Sequence, residues 1–318
     1  MNISGLWRRP VQAALLAGAA LLASCGGGTS QEQAFLPERV VVFGDESSLV
    51  LPDGRTYTVA GVDATGVVDC NLQPNWVQVL LTAWNYEFPE CHKATSTAQT
   101  LGLMRASVGA RLDDVVAALD AEIAAGTVAQ GTMVAMMVGA HDVLDLYAQF
   151  PVRSRDSLLV EARERGTRYA LQVNRAVETG ARVIVATVHD VGLSPFGLTQ
   201  TAAFPDTAPT RGELISELVK AYNAGLRVSI INDGRLVGLV LADESTQVMA
   251  RYPDAFAVKN FRDAACTTAL PDCTVLTLAS GATGTSHLWA DETRLAYPAH
   301  LQIGREALSR ALKNPFSQ

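Results

Sequence analysis

Short apolar runs rich in β-branched residues alternate along this chain with longer segments whose apolar residues recur every three to four positions. The run "RVVVFGD" (39–45) ends in Gly-Asp and reads as a buried strand followed by a tight turn. In "LPDGRTYTVAG" (51–61), the Asp53-Gly54 pair lies between strand-like halves and predicts a small hairpin. "NWVQVLLTAW" (75–84) puts Trp76, Val77, Leu80 and Leu81 on one helical face. "RLDDVVAALDAEIAAG" (111–126) reads as a helix closed by Gly126, and "TMVAMMVGAHDVLDLY" (132–147) as a strand that breaks at Gly139 into a new helix. A long amphipathic helix follows at 154–180, then a strand within 181–195, a helix at 211–230, a strand at 236–243 and a final loop and helix within 288–312.

Apolar strands alternating with helices mean a mainly parallel sheet covered on both faces, an α/β fold of three layers. There is no internal repeat and no linker to a second domain. In such sheets the crevice lies at the carboxyl ends of the strands. The loops expected there carry Asp45-Glu46, His141-Asp142, His189-Asp190 and Asp291 to Arg294.

The amino-terminal stretch changes the address but not the fold. Arg8 and Arg9 precede "VQAALLAGAALLA" (11–23), an apolar run too short to span a bilayer and typical of a cleaved secretory leader. Its "LASC" ending resembles a bacterial lipobox, which implies cleavage before Cys25, lipidation of that cysteine and a membrane partner reached through it. Gly26 after the cysteine implies an outer-membrane lipoprotein facing the periplasm or the cell surface. The expected organisation is a signal peptide at 1–24, a Gly-rich polar tether at 25–38 and one domain at 39–318. Losing two arginines takes the formal charge from −7 to about −9. An acidic chain without a basic stripe is a poor binder of nucleic acid. Four cysteines remain, Cys70, Cys91, Cys266 and Cys273, and in an exported chain they read as two disulfides. Of three connectivities, local pairing is the simplest.

Four blocks in order resemble the SGNH, or GDSL, hydrolase family over about residues 39–312. "VVVFGDES" resembles the first block, which usually carries a serine after Gly-Asp. "ASVGARLDDVVAALD" (106–120) resembles the second, with Gly109 as its oxyanion-hole glycine, and "VGAHDVLDL" (138–146) the third, usually Gly-Ala-Asn-Asp. "LWADETRLAYPAHLQIG" (288–304) resembles the last, with Asp291 in the Asp-x-x-His pattern. The resemblance implies a flavodoxin-like sheet and hydrolysis of esters in lipids or acetylated glycans. The mechanism would be a serine attacking under a histidine base oriented by an aspartate, with the oxyanion held by N–H groups and an asparagine.

The chemistry does not carry over with the blocks. Glu46 stands at the serine position, His141 at the asparagine position and Arg294 at the histidine position. A carboxylate forms no ordinary acyl-serine, and a guanidinium is no base at neutral pH. The expectation is therefore a hydrolase-like protein without serine-ester catalysis that keeps a crevice for acyl or glycan groups. Glu46 and Arg294 would form a bidentate ion pair, with Asp291 as a second partner. The alternative is an active esterase in which Ser47 or Ser48 serves as nucleophile and His189 as base, although either serine would be displaced from the turn position. His300 matches a later helix histidine of the family that is not the base, and His287 precedes the Asp291 loop. Glu46, His141, His189 and Asp291 could in principle ligate a metal, but the nearby arginine opposes a cation and no metal is expected. No phosphate loop or Gly-x-Gly-x-x-Gly occurs, so no cofactor is expected either. Trp76, Trp84, Trp289, Met133, Met136 and Met137 read as core or groove residues. Oligomeric state is left open.

Overall fold

The structure, a computed structural model, describes residues 35–313. The leader, Cys25 and most of the tether lie outside them. The described chain runs β1 (Arg39–Gly44), α1 (Trp76–Leu81), β2 (Gly102–Met104), α2 (Leu112–Ala124), β3 (Thr132–Met137), α3 (Ala140–Tyr147), α4 (Arg155–Glu178), β4 (Arg182–Ala186), α5 (Pro195–Ala203), α6 (Arg211–Ser229), β5 (Val237–Val240), α7 (Ala242–Arg251), β6 (Asn260–Ala264), β7 (His287–Trp289) and α8 (Tyr297–Lys313).

The first five strands form one sheet in the order β2-β1-β3-β4-β5, every pair parallel. This is the doubly wound flavodoxin-like order. Alternate residues of β1 face opposite layers. Val41 and Phe43 join the core made by α2, α3, α4 and α6, while Val40 and Val42 join that made by α1, α7 and α8. Burial on both faces explains why β1 and β3 read as unbroken apolar runs rather than alternating ones. The three methionines of "TMVAMM" are all buried in β3.

Helix starts follow local chemistry. Asn75 caps α1 in a capping box with Gln78, and Thr210 does the same for α6 with Glu213. The apolar face expected at 75–84 is sealed, and its last three residues tighten into a 3₁₀ turn.

Three expectations need correction. The strand expected at 236–243 stops at Val240, because Asp243 and Glu244 open α7 where its terminus favours negative charge. The hairpin about Asp53-Gly54 shrinks to a single antiparallel bridge, Val50 with Thr56. Its second half turns away, with the Ala60 N–H donating to the Cys273 carbonyl at 3.0 Å. The end of the expected tether is docked: Phe35 is buried, its carbonyl accepts from the Trp84 indole, and the Pro37 carbonyl accepts from the Tyr86 hydroxyl. The strands β2, β6 and β7 and the helices α5 and α7 went unread in the sequence.

Both local disulfides form, Cys70 with Cys91 and Cys266 with Cys273. They fit an extracellular or periplasmic setting. No described helix is long and apolar enough to cross a membrane.

Candidate active site

The site is built where β1, β2, β3 and β4 end. Gly44 closes β1 at φ +144°, a conformation open to glycine, and a Cβ there would lie 2.1 Å from the Met137 carbonyl oxygen of β3. The chain then turns tightly. The Asp45 carboxylate accepts from the Ser47 N–H at 2.9 Å and the Asp45 carbonyl from the Ser48 N–H at 3.1 Å. That turn aims the Glu46 side chain across the sheet end, where only 3% of it stays exposed.

Every other corner of the site converges on this carboxylate. The Gly109 N–H, presented by the loop before α2 at φ +71°, donates to Oε2 at 2.8 Å. His141, in the first turn of α3, places Nε2 at 2.9 Å from Oε2 and 3.0 Å from Oε1. Arg294 donates from Nε at 2.7 Å and approaches with Nη2 at 2.6 Å, both to Oε1. The expected ion pair is present, but it is bifurcated on one oxygen rather than forked across two. The Gly109 N–H takes the other oxygen, and His141 spans both. Asp291 is the second partner: its Oδ2 accepts from Arg294 Nη1 at 2.7 Å. Its Oδ1 takes the Thr293 and Arg294 N–H groups at 3.0 and 2.7 Å, fixing the loop that carries the arginine.

The electrostatics follow from that crowd of donors. Burial alone would raise the Glu46 carboxyl, but the His141 hydrogen bond and charge, the Gly109 N–H and Arg294 together bring it down to about 2. The hydrogen bond to Glu46 raises His141 in turn, against its own burial. Neighbouring Asp45 moves the other way, to about 6, through burial and the charge of Glu46. Burial lowers Arg294, but Asp291 and Glu46 more than offset it, so its guanidinium is still further from acting as a base.

Both serines are buried. Ser48 is fully buried and its hydroxyl accepts from the Trp76 indole at 3.0 Å. Ser47 is 6% exposed, and among the described residues neither hydroxyl bonds a histidine. His189 is buried at 3% exposure, shares Nε2 with the Thr293 carbonyl at 3.2 Å and is pushed by burial down to about 4. His300 is also buried, on α8, and falls to about 3 through burial and the nearby His189. His287 opens β7 with Nδ1 at 2.8 Å from the Ser286 hydroxyl, outside the cluster. Trp289 is fully buried 6.0 Å from the His189 ring, and Trp84 is half-buried. Within the possible ligand set Glu46, His141, His189 and Asp291, the Arg294 guanidinium bonds both Glu46 and Asp291. Among the described residues no group of three or more His, Cys, Asp or Glu is placed to hold a metal ion.

Beneath the site, Asp142 accepts from the Leu112 N–H at 2.9 Å and pairs with Arg165, fixing the start of α2 relative to α3. Asn223 brackets β4, accepting from the Val188 N–H and donating to the Val188 carbonyl and Asp243. Sequence reasoning missed Tyr57, whose ring lies 5.5 Å from the Arg294 guanidinium. It sits in the hairpin that dissolved, and nothing local marks a contact so distant along the chain. It also missed the anchoring of Ser48 by Trp76.

No protein-family model matches this chain, and neither does any curated protein. Among solved structures it is similar to Axe2, an acetylxylan esterase from Geobacillus stearothermophilus, at 12% identity over 88% of this chain and 96% of that one, with a TM-score of 0.46. It is also similar to LAE5, an α/β hydrolase enzyme from the metagenome of Lake Arreo, Spain, at 15% identity over 87% and 96% of the two chains, with a TM-score of 0.42. At such values the likeness adds nothing to the three-layer fold already described from its own sheet order.

Proposed function

We propose that this chain is a lipid-anchored relative of the SGNH hydrolases whose ester-cleaving centre is closed, acting at the cell surface or in the periplasm as a non-catalytic protein. The observation that carries this reading is the Glu46 carboxylate seated on the Gly109 N–H and gripped by Arg294. The residue at the family's nucleophile position occupies the donor that an ester's developing oxyanion would need. The residue at the base position is a guanidinium that holds it there. The crevice mouth keeps polar character, because the side chains of His141 and Arg294 remain 25% and 28% exposed. Acyl groups or acetylated glycans are the ligands the four sequence blocks imply for that mouth. Anchoring through Cys25 is part of the same proposal.

The competing reading, an active esterase with a displaced serine, would need Ser48 to leave the Trp76 indole or Ser47 to find a base. Turnover of nitrophenyl acetate and butyrate separates the two. The purified protein, disulfides intact, should release nitrophenol no faster than buffer. Saturable turnover abolished by Ser47→Ala or Ser48→Ala would overturn the proposal.

A further inference from the structure

Arg211 is the first residue of α6, and only 8% of it is exposed. Its guanidinium carbon lies 4.4 Å from the centre of the Phe150 ring and 4.6 Å from that of Phe204, so two aromatic faces clamp it. Its Nε is sealed from solvent without a hydrogen-bond partner, and among the described residues no carboxylate pairs with it. Several partly buried arginines of this fold differ: Arg165 has Asp142 and Glu161, Arg227 has Asp243 and Glu244, and Arg294 has Glu46 and Asp291. A guanidinium is always charged, and a buried charge without a counter-ion is costly. Cation–π contacts with the two rings offset only part of that cost.

The surroundings specify what completes the site. Phe150 follows α3, Phe204 ends α5 and Arg211 starts α6, so three elements meet there. The Gly212 and Glu213 N–H groups are already taken by the Thr201 and Thr210 hydroxyls, which leaves the helix end its dipole but few free donors. Glu213 caps the Thr210 N–H, and at two residues from Arg211 it faces another side of the helix. A single cation on an acidic protein suits a monoanion rather than a phosphate or polyanion. Phe204, 46% exposed, offers an apolar wall on the open side. We propose that Arg211 is a binding residue for a small organic carboxylate. The acid group would meet the outer edge of the guanidinium, and the ligand's apolar body would lie against Phe204. This does not depend on whether the Glu46 centre is silent.

The test follows the arginine side-chain ¹⁵N resonances of the purified protein, disulfides intact, during titration with benzoate, sulfate and chloride at constant ionic strength. Arg211→Lys identifies the Arg211 signal. Benzoate should shift it saturably, at least tenfold more tightly than sulfate, while chloride does nothing. Phe204→Ala should weaken benzoate binding several-fold. Equal responses to all three anions, or no saturable shift at Arg211, would overturn the proposal. So would a benzoate shift at Arg294 alone, which would place the carboxylate at the Glu46 centre. Sequential backbone-to-side-chain assignment of the wild-type protein identifies the same signal, so misfolding of a variant leaves the question answerable.

Discussion

Replacing Glu46 with alanine should lower stability at pH 7 by roughly 3 kcal/mol, a large share of the 5–15 kcal/mol that holds a typical domain together. The carboxylate is 3% exposed and satisfies the Gly109 N–H, the His141 ring and two nitrogens of Arg294. Removing it strands those donors. Breaking a fully buried pair costs about 3–5 kcal/mol. The lower end applies here because Arg294 keeps Asp291 and, like His141, reaches solvent. Glu46→Ala and Arg294→Ala should therefore be strongly non-additive, with a coupling of about 1–3 kcal/mol. Urea unfolding of the two single variants and the double variant measures it. A loss below about 1 kcal/mol for Glu46→Ala, or additive losses, would mean that these charges are coupled no more strongly than an exposed ion pair. On the proposed reading, in which the ester centre is closed, its charged groups stabilise the fold instead of waiting for a substrate.

Acid should weaken the fold before most carboxylates titrate. Burial holds His189 down to about 4 and His300 to about 3. An unfolded histidine protonates near 6.5, so below that pH the unfolded chain takes up protons that the folded chain refuses. These two contributions are complete above pH 6.5 and are lost as pH falls toward 4 and 3. Asp45 opposes them. Its carboxyl, raised to about 6 by burial and Glu46, binds a proton in the fold before it would in the unfolded chain. That contribution is present below the unfolded value of 3.8 and is lost as pH rises through 6. His141, raised by Glu46, is charged in both states once the pH is well below 6.5 and adds little slope there. Around pH 5 these two histidines outweigh Asp45 by one proton, a loss of about 1.4 kcal/mol per pH unit from these three groups. Asp142 and Asp190, raised by burial, reduce it, and Glu46 adds to it as pH nears 4. Neither ring nitrogen of His300 meets full hydrogen-bond geometry, although the Leu295 backbone lies close enough to favour its proton slightly. His300→Leu should accordingly flatten the profile with little effect at pH 7. Urea midpoints at pH 7, 5 and 4 decide the matter. Coincident wild-type and His300→Leu profiles would show that His300 does not carry the effect.

The sheet was legible because burial on both faces writes itself as runs such as "RVVVFG" and "TMVAMM", and the long helices because their apolar residues keep helical spacing. β2 was not, since three residues at a sheet edge leave too short a run, and α7 was not, since "ADESTQVMAR" shows more of its polar face than of its core face. The cluster of Glu46, Gly109, His141, Asp291 and Arg294 was legible from the order of four blocks and from the replacements within them. Its geometry was not. A sequence does not say that Gly109 takes one carboxylate oxygen, the arginine the other, and His141 spans both. Nor does it say that Trp76 bonds the Ser48 hydroxyl, or that Arg211 lies between two phenylalanines. Those facts depend on pairs of residues far apart in the chain.

The most direct measurement is the intact mass of the purified protein, disulfides intact, after prolonged incubation with a fluorophosphonate. A serine activated by a base forms a covalent adduct with such a reagent, and a carboxylate-filled centre has none to offer. The mass should remain that of the unmodified protein. A single adduct mapped to Ser47 or Ser48, and lost in the corresponding alanine variant, would contradict the closed centre and make this protein an esterase with a displaced nucleophile.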